Sequence, residues 1–251
     1  MDTGLKGKTV LITGASRNVG RVAAVSFARE GANLVLCTSS KMEALEETAQ
    51  QARALGAEVL TQKCDVADGA QVASLVEAAR KKFGGVDVAV NNAVYRAEAK
   101  GKGFLEQSFE MWQRNIEVNI NGPYHICRNV VPLMKEKRWG RIVNFSGIAP
   151  FLGHGVAKAT VKVGIIGLTR GLANEFGEFG ITANCIGPGT IGTEREVYLP
   201  DKQLRAEQPI RRLGKPEEIA QLAVYLASEQ AAFITGQCYL VNGGQIGRAH
   251  V

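Results

Sequence analysis

Gly14 and Gly20 bracket a short loop, Gly14-Ala15-Ser16-Arg17-Asn18-Val19-Gly20, that follows an apolar strand-like run and leads directly into helix-like sequence. The chemistry this order suits is anion binding. A glycine loop lets backbone approach a pyrophosphate, and a helix start offers unpaired N–H groups at the positive end of its dipole. Ser16, Arg17, Asn18 and Val19 would complete such a cradle, and Asn18 is a residue type that tolerates left-handed backbone. The simpler reading is a strand-to-helix turn with incidental glycines. A second group, Thr38-Ser39-Ser40-Lys41, follows the next strand-like run. An acidic residue there would bind a ribose 2′-hydroxyl and repel a 2′-phosphate; none is present. Hydroxyls, Lys41 and Arg17 could together surround a phosphate, which favours NADP over NAD. Ser39 or Ser40 could instead cap the following helix. Further along, Asp65 with Val66 could meet an adenine amino group, or Asp65 could cap its helix. Asn91, Asn92 and Ala93 end another run, where asparagines can tie strand ends together and a small alanine leaves room for a flat ring. Val94 narrows that room, and Tyr95 either overhangs it or packs.

These residues need a frame that brings strand ends together. Strand-like runs fall at about 8–13, 33–38, 58–63, 86–91, 140–146, 181–187 and 238–242. Helical spacing lies between them: Val72, Leu75, Val76 and Ala79 show the i, i+3, i+4, i+7 pattern. The alternation predicts an α/β chain with a doubly wound, mostly parallel seven-stranded sheet and helices on both faces. Ligands bind such sheets outside the carboxyl ends of the strands. No linker or repeat interrupts the pattern, so residues 1–251 read as a single dinucleotide-binding domain. Long helices are expected over about 106–137 and 156–176.

Composition narrows the partners. The chain has 251 residues, 45% hydrophobic and 22% charged, with a formal net charge of +6. The basic residues are scattered, and the cluster around Lys135, Lys137, Arg138 and Arg141 suits a helix C-terminus rather than a nucleic-acid stripe. No run approaches the apolar length of a membrane span. Five separated cysteines, with no close Cys/His spacing, point to buried free thiols, no metal site, and a reducing cytoplasmic compartment. The expected partner is a small-molecule substrate, without nucleic acid or membrane.

Taken in order, several segments resemble the short-chain dehydrogenase/reductase family in its single-domain form, over nearly the whole chain. They are the Thr13–Gly20 loop, Asp65-Val66, Asn91-Asn92-Ala93, Val118-Asn119, Arg141-Ile142-Val143-Asn144, Pro188-Gly189, the run from Arg212 to Ala220, Ile234-Thr235-Gly236-Gln237 and Val241-Asn242-Gly243-Gly244. The resemblance implies a Rossmann-like fold and a nicotinamide cofactor. It also implies catalysis by an Asn, Ser, Tyr and Lys set, with tyrosine four residues before lysine on one helix face. Asn119 and Lys162 match that set, and Lys162 would also hold the cofactor ribose. Pro188, Gly189, Ile191 and Thr193 fall where the nicotinamide end would lie. Thr193 could equally cap a helix ahead of Glu194 and Glu196.

The resemblance breaks at the tyrosine, whose place is taken by Lys158. The serine place is altered too: Ser146 occupies the first of two adjacent small polar positions, and Gly147 the second. Lys158 and Lys162 carry like charge one helical turn apart, so one should titrate low. Lys158 could then donate a proton, hold a substrate phosphate or carboxylate, or take no part. His154, one turn earlier, is another proton donor, or a surface residue. Residues 190–209, including Tyr198, match a segment that often forms a lid in the family, and homotetramers or homodimers are its usual assemblies. The expected activity is NADP(H)-dependent hydride transfer to or from a C=O, C=N or conjugated C=C group, with a non-standard proton donor. The alternative is a catalytically impaired NADP-binding member acting as a sensor or oligomer partner.

Overall fold

Successive residues of each central strand feed two different cores. In β1 (Thr9–Thr13), Val10 and Ile12 pack on one face while Leu11 packs on the other. In β2 (Asn33–Thr38), Leu34 and Leu36 face one way, Val35 and Cys37 the opposite way. This period of two, with both sides apolar, is what a sheet covered on both faces demands. The computed structural model describes residues 2–96, 104–153, 155–193 and 208–245. The remaining strands are β3 (Val59–Lys63), β4 (Val88–Asn91), β5 (Gly140–Phe145), β6 (Ile181–Pro188) and β7 (Cys238–Val241). All pairings are parallel, in the order β3-β2-β1-β4-β5-β6-β7. The seven-stranded, Rossmann-like doubly wound fold expected from the alternation is the observed one.

Helices α1 (Asn18–Arg29), α2 (Met42–Arg53) and α8 (Pro216–Ala227) cover one face, through Phe27, Leu45 and Ile219 among others. Helices α3 (Gly69–Phe83), α5 (Gly122–Lys137) and α7 (Val156–Phe176) cover the other, through Leu75, Ile126 and Ala173. A short α6 (Ala149–Leu152) precedes α7. Chain order reverses between β1 and β4, so the crevice at their carboxyl ends is the topological switch point.

One expectation needs correction. Residues 106–137 do not form a single helix. Helix α4 (Phe109–Ile116) begins at Ser108, whose hydroxyl accepts from the Met111 N–H at 3.3 Å, and passes into a π-helical turn, Glu117–Asn121, before α5 starts. A π-turn inserts an extra residue into the helical ladder and re-aims side chains, and such turns recur at functional sites. Asn119 sits in this one.

Among the described residues, no helix is long and apolar enough to cross a membrane. No group of three or more His, Cys, Asp or Glu side chains among them could hold a metal. All five cysteines are free, and four are buried. Most of the 190–209 segment, Tyr198 with it, and His154 lie outside the described residues.

Candidate active site

The glycine loop is shaped by what it packs against. Gly14 takes a left-handed φ of +66°, and a Cβ there would lie 2.9 Å from Ala93 Cα. Gly20 has no such φ; a Cβ there would run into the Gly14 carbonyl and come within 2.6 Å of Asn92 Nδ2. The first loop and the end of β4 are thus in backbone contact. Asn92 bonds the two together, its Nδ2 donating to the carbonyls of Thr13 (2.9 Å) and Gly14 (3.1 Å). Thr13 Oγ1 accepts from the N–H groups of Asn92 and Ala93 at 3.1 and 2.9 Å. Asn18 opens α1 at φ +50°, the left-handed conformation asparagine tolerates. The first turn of α1 has no acidic residue and no side-chain cap at Arg17. Its leading N–H groups therefore fit an anion.

At the end of β2, Thr38 is buried and its hydroxyl donates to Ser16 Oγ at 3.4 Å. Ser39, Ser40 and Lys41 are exposed. The N-cap of α2 is Lys41 and no side chain caps that helix, so neither serine takes the capping role that sequence allowed. Asp65 does not cap α3 either. That cap is Asp68, whose carboxylate accepts from the N–H groups of Ala70 (2.9 Å) and Gln71 (3.2 Å). The Asp65 carboxylate accepts from Ala67 N–H at 3.1 Å and pairs with Arg114, whose pKa rises because of it. An adenine amino group would share this carboxylate with Arg114. Val66 is buried beside Gly122, where a Cβ would come within 2.7 Å of Val66 Cγ2.

The catalytic candidates meet between the end of β5 and the start of α7. Ser146 is buried, and its hydroxyl donates to the Lys162 carbonyl at 2.8 Å. In return Lys162 Nζ donates to the Phe145 carbonyl at 2.9 Å. Burial pushes the Lys162 ammonium down to about 8; the Cys185 thiol opposes the fall, while Arg96 and Lys158 add to it. Lys158 lies in the first turn of α7, four residues before Lys162. It is exposed, yet desolvation and then the positive charge of Arg96 lower its pKa.

Asn119 is buried at the π-turn. Its Nδ2 donates to the Tyr95 carbonyl at 3.0 Å, and to the carbonyl and Oδ1 of Asn115 at 3.0 and 2.7 Å. Asn115 Nδ2 donates in turn to the Ala157 carbonyl at 2.9 Å. Asn119 Oδ1 is buried without a hydrogen-bond partner. A second buried chain runs below: Asn91 Nδ2 to Asn144 Oδ1 at 2.7 Å, and Asn144 Nδ2 to Thr169 Oγ1 at 2.9 Å. It ties β4 to β5 and β5 to α7, which is the strand-end tying that asparagine at position 91 suggested.

On the far side, Gly189 N–H donates to the Val241 carbonyl at 2.9 Å, and Ile191 bridges to Gly214. Pro188 to Ile191 are thereby fixed beside β7. Thr193 is half-buried, and the segment it would cap lies outside the described residues.

Three contributors were not singled out from sequence: Asn115, Arg114 and Arg96. Asn115 carried a signal, since asparagines four apart share a helix face. The other two carried none, because the groups they act on lie just past β3 and in α7.

The residues fit a dinucleotide, by the uncapped start of α1 and the buried Lys162 ammonium. Comparison with known proteins agrees. The family described as "Enoyl-(Acyl carrier protein) reductase" matches residues 14–245. The chain is 35% identical to 3-oxoacyl-acyl-carrier-protein reductase of Thermotoga maritima, over 96% of this chain and 99% of that protein. It is 36% identical to the reductase of the same name from Escherichia coli K12, over 95% and 97%. Among solved structures, L-sorbose reductase from Gluconobacter frateurii, complexed with NADPH and L-sorbose, superposes with a TM-score of 0.90 at 31% identity, covering 98% of each chain. A solved structure described as "a putative short-chain alcohol dehydrogenase from Sinorhizobium meliloti 1021" gives 0.90 at 31% identity, over 96% and 97%. With the glycine loop, the switch-point crevice and Lys162 on one edge of a seven-stranded parallel sheet, the chain belongs to the short-chain dehydrogenase/reductase family of oxidoreductases.

Proposed function

We propose that this oxidoreductase uses NADP(H) to move a hydride between nicotinamide and a small C=O, C=N or conjugated C=C substrate, with a proton donor other than tyrosine. The observation that carries the reading is Lys162: a buried ammonium, pinned to the Phe145 carbonyl at the end of β5, on the helix packed against β5 and β6. The bound nicotinamide would supply or accept the hydride. Gly14, Ser16, Asn18, Val19 and Gly20 frame its diphosphate. Arg17, Thr38, Ser39 and Ser40 surround the 2′-phosphate. Asp65 and Val66 border the adenine, and Asn92, Ala93, Pro188, Gly189, Ile191 and Thr193 the nicotinamide half. Lys162 holds the ribose. Its charge depresses the pKa of any acid beside it, and Lys158, one turn away, offers an ammonium already lowered toward proton transfer. Asn119 holds the Tyr95 carbonyl, past the end of β4, in place, and Ser146 fixes α7.

Two supporting features concern assembly and place. Leu105, Phe109 and Phe233 present large apolar side chains to the surface, which suits a homodimer or homotetramer. Five free thiols suit a reducing cytoplasm.

The test is calorimetry with NADP and NAD, followed by NADPH oxidation over ketone, enone and imine substrates. Uptake of NADP with turnover in one of those classes is expected. Failure to bind either coenzyme overturns the reading. A second reading, a cofactor binder without turnover, is favoured by one observation: the Ser146 hydroxyl is spent on the Lys162 carbonyl and Gly147 brings no hydroxyl of its own. NADP binding with no turnover in any panel would support it.

A further inference from the structure

Three cationic side chains gather from two parts of the fold. Lys162 stands inside α7, Lys158 one turn earlier, and Arg96 follows the end of β4. Their placement is built, not incidental. Asn119 Nδ2 holds the Tyr95 carbonyl at 3.0 Å, one residue before Arg96. Asn115 Nδ2 holds the Ala157 carbonyl at 2.9 Å, one residue before Lys158. Asn115 and Asn119 bond to each other, at 2.7 Å between side chains. One buried asparagine pair therefore fixes the backbone under both cations. Arg96 lies close enough to depress the pKa of Lys158 and Lys162 together. A cluster of like charges set on a fixed backbone suits an anionic ligand.

We propose that Arg96 and Lys158 hold the oxyanion of the substrate, so that this oxidoreductase acts on carbonyl compounds carrying a carboxylate next to the reacting carbon. The guanidinium fork of Arg96 matches a carboxylate's two oxygens. The three N–H donors of Lys158 can serve the carboxylate and the neighbouring carbonyl oxygen at once. In the reducing direction bound NADPH would supply the hydride that adds to carbon as the C=O π bond breaks. The electron pair passes to oxygen, which takes a proton from the Lys158 ammonium. Lys158 is left neutral and regains its proton from water. The inference rests on the coenzyme reading above, and its test separates the two.

The test is calorimetry with oxamate, an unreactive amide of the same shape as a 2-oxo acid, and with its neutral counterpart oxamide, in the presence and absence of saturating NADP. Glycerol phosphate and glycerol form a second pair that distinguishes carboxylate from phosphate. Binding of oxamate, weak binding of oxamide and of glycerol phosphate, and a loss of about tenfold or more in oxamate affinity in both Arg96→Gln and Lys158→Gln are expected. Lys81→Gln, on the exposed face of α3, should leave oxamate affinity unchanged. Equal affinity for oxamate and oxamide, no binding of either, stronger binding of glycerol phosphate, or unaltered affinity in both variants overturns the proposal. Failure to take up NADP while oxamate binds overturns the coenzyme reading alone; NADP uptake without a preference for oxamate overturns this proposal alone.

Discussion

Ser146 and Lys162 bind one another's surroundings in both directions: the serine hydroxyl donates to the lysine carbonyl at 2.8 Å, and the lysine ammonium donates back to the Phe145 carbonyl, one residue before the serine, at 2.9 Å. This reciprocal clamp fastens the end of β5 to the middle of α7. It makes Ser146 a positioning residue for Lys162. Ser146→Ala should cost about 1–2 kcal/mol, because the clamp is buried. It should also weaken NADP binding. Urea unfolding and calorimetry on the same variant check both, and unchanged affinity for NADP would separate the clamp from the cofactor site.

Lys162 gives a pH signature. Its folded pKa of about 8 lies below the ordinary lysine value near 10.4. The unfolded chain therefore holds this proton more tightly than the folded one. The cost of burying the charge is fully present below pH 8 and is relieved as pH rises toward 10.4. Relative to Lys162→Met, the wild-type chain should gain up to roughly 3 kcal/mol of stability between pH 7 and pH 10.5. Denaturant midpoints for both proteins across that range measure it; a flat difference would contradict a buried ammonium.

The two glycine positions should respond unequally. Gly20→Ala places a methyl group against the Gly14 carbonyl and Asn92. It should destabilise by about 2 kcal/mol or more and weaken NADP binding. Gly147→Ser meets nothing nearer than the Pro188 carbonyl at 4.0 Å, and should change stability by less than about 0.5 kcal/mol. Thermal unfolding of the pair is a direct comparison. Turnover that rises in Gly147→Ser would show that the missing hydroxyl limits the native enzyme.

Coenzyme choice is tested by melting temperature. NADP should stabilise more than NAD at equal concentration, and a ligand at a hundred times its Kd stabilises by about 2.7 kcal/mol. Arg17→Gln should remove most of the NADP advantage and leave the NAD response nearly intact, since NAD lacks the 2′-phosphate.

Thr169→Val tests the buried polar chain beneath the site. The substitution leaves Asn144 Nδ2 without its acceptor in a fully buried place. A loss of about 1–3 kcal/mol is expected in urea unfolding.

Sequence by itself determined the sheet. Apolar runs such as 33–38 and 181–187, separated by helical spacing, leave few other ways to bury both sides of seven strands, and parallel pairing with crossover helices follows. It also marked the glycine loop and the Lys158/Lys162 spacing, because these are local in the chain. What only the tertiary structure decided are the long-range pairings. Gly20 needs to be glycine because of a carbonyl six residues back and an asparagine just past β4. Asp65 turns to Arg114 rather than to the helix that follows it. The π-turn at Glu117–Asn121 breaks a helix that periodicity alone reads as continuous, and so lets Asn119 reach Tyr95. The charge of Arg96 acts on Lys158 because Tyr95 and Ala157, the residues before them, rest on the same two asparagines. Periodicity records which face a residue shows to the core; it carries no record of which distant residue waits there.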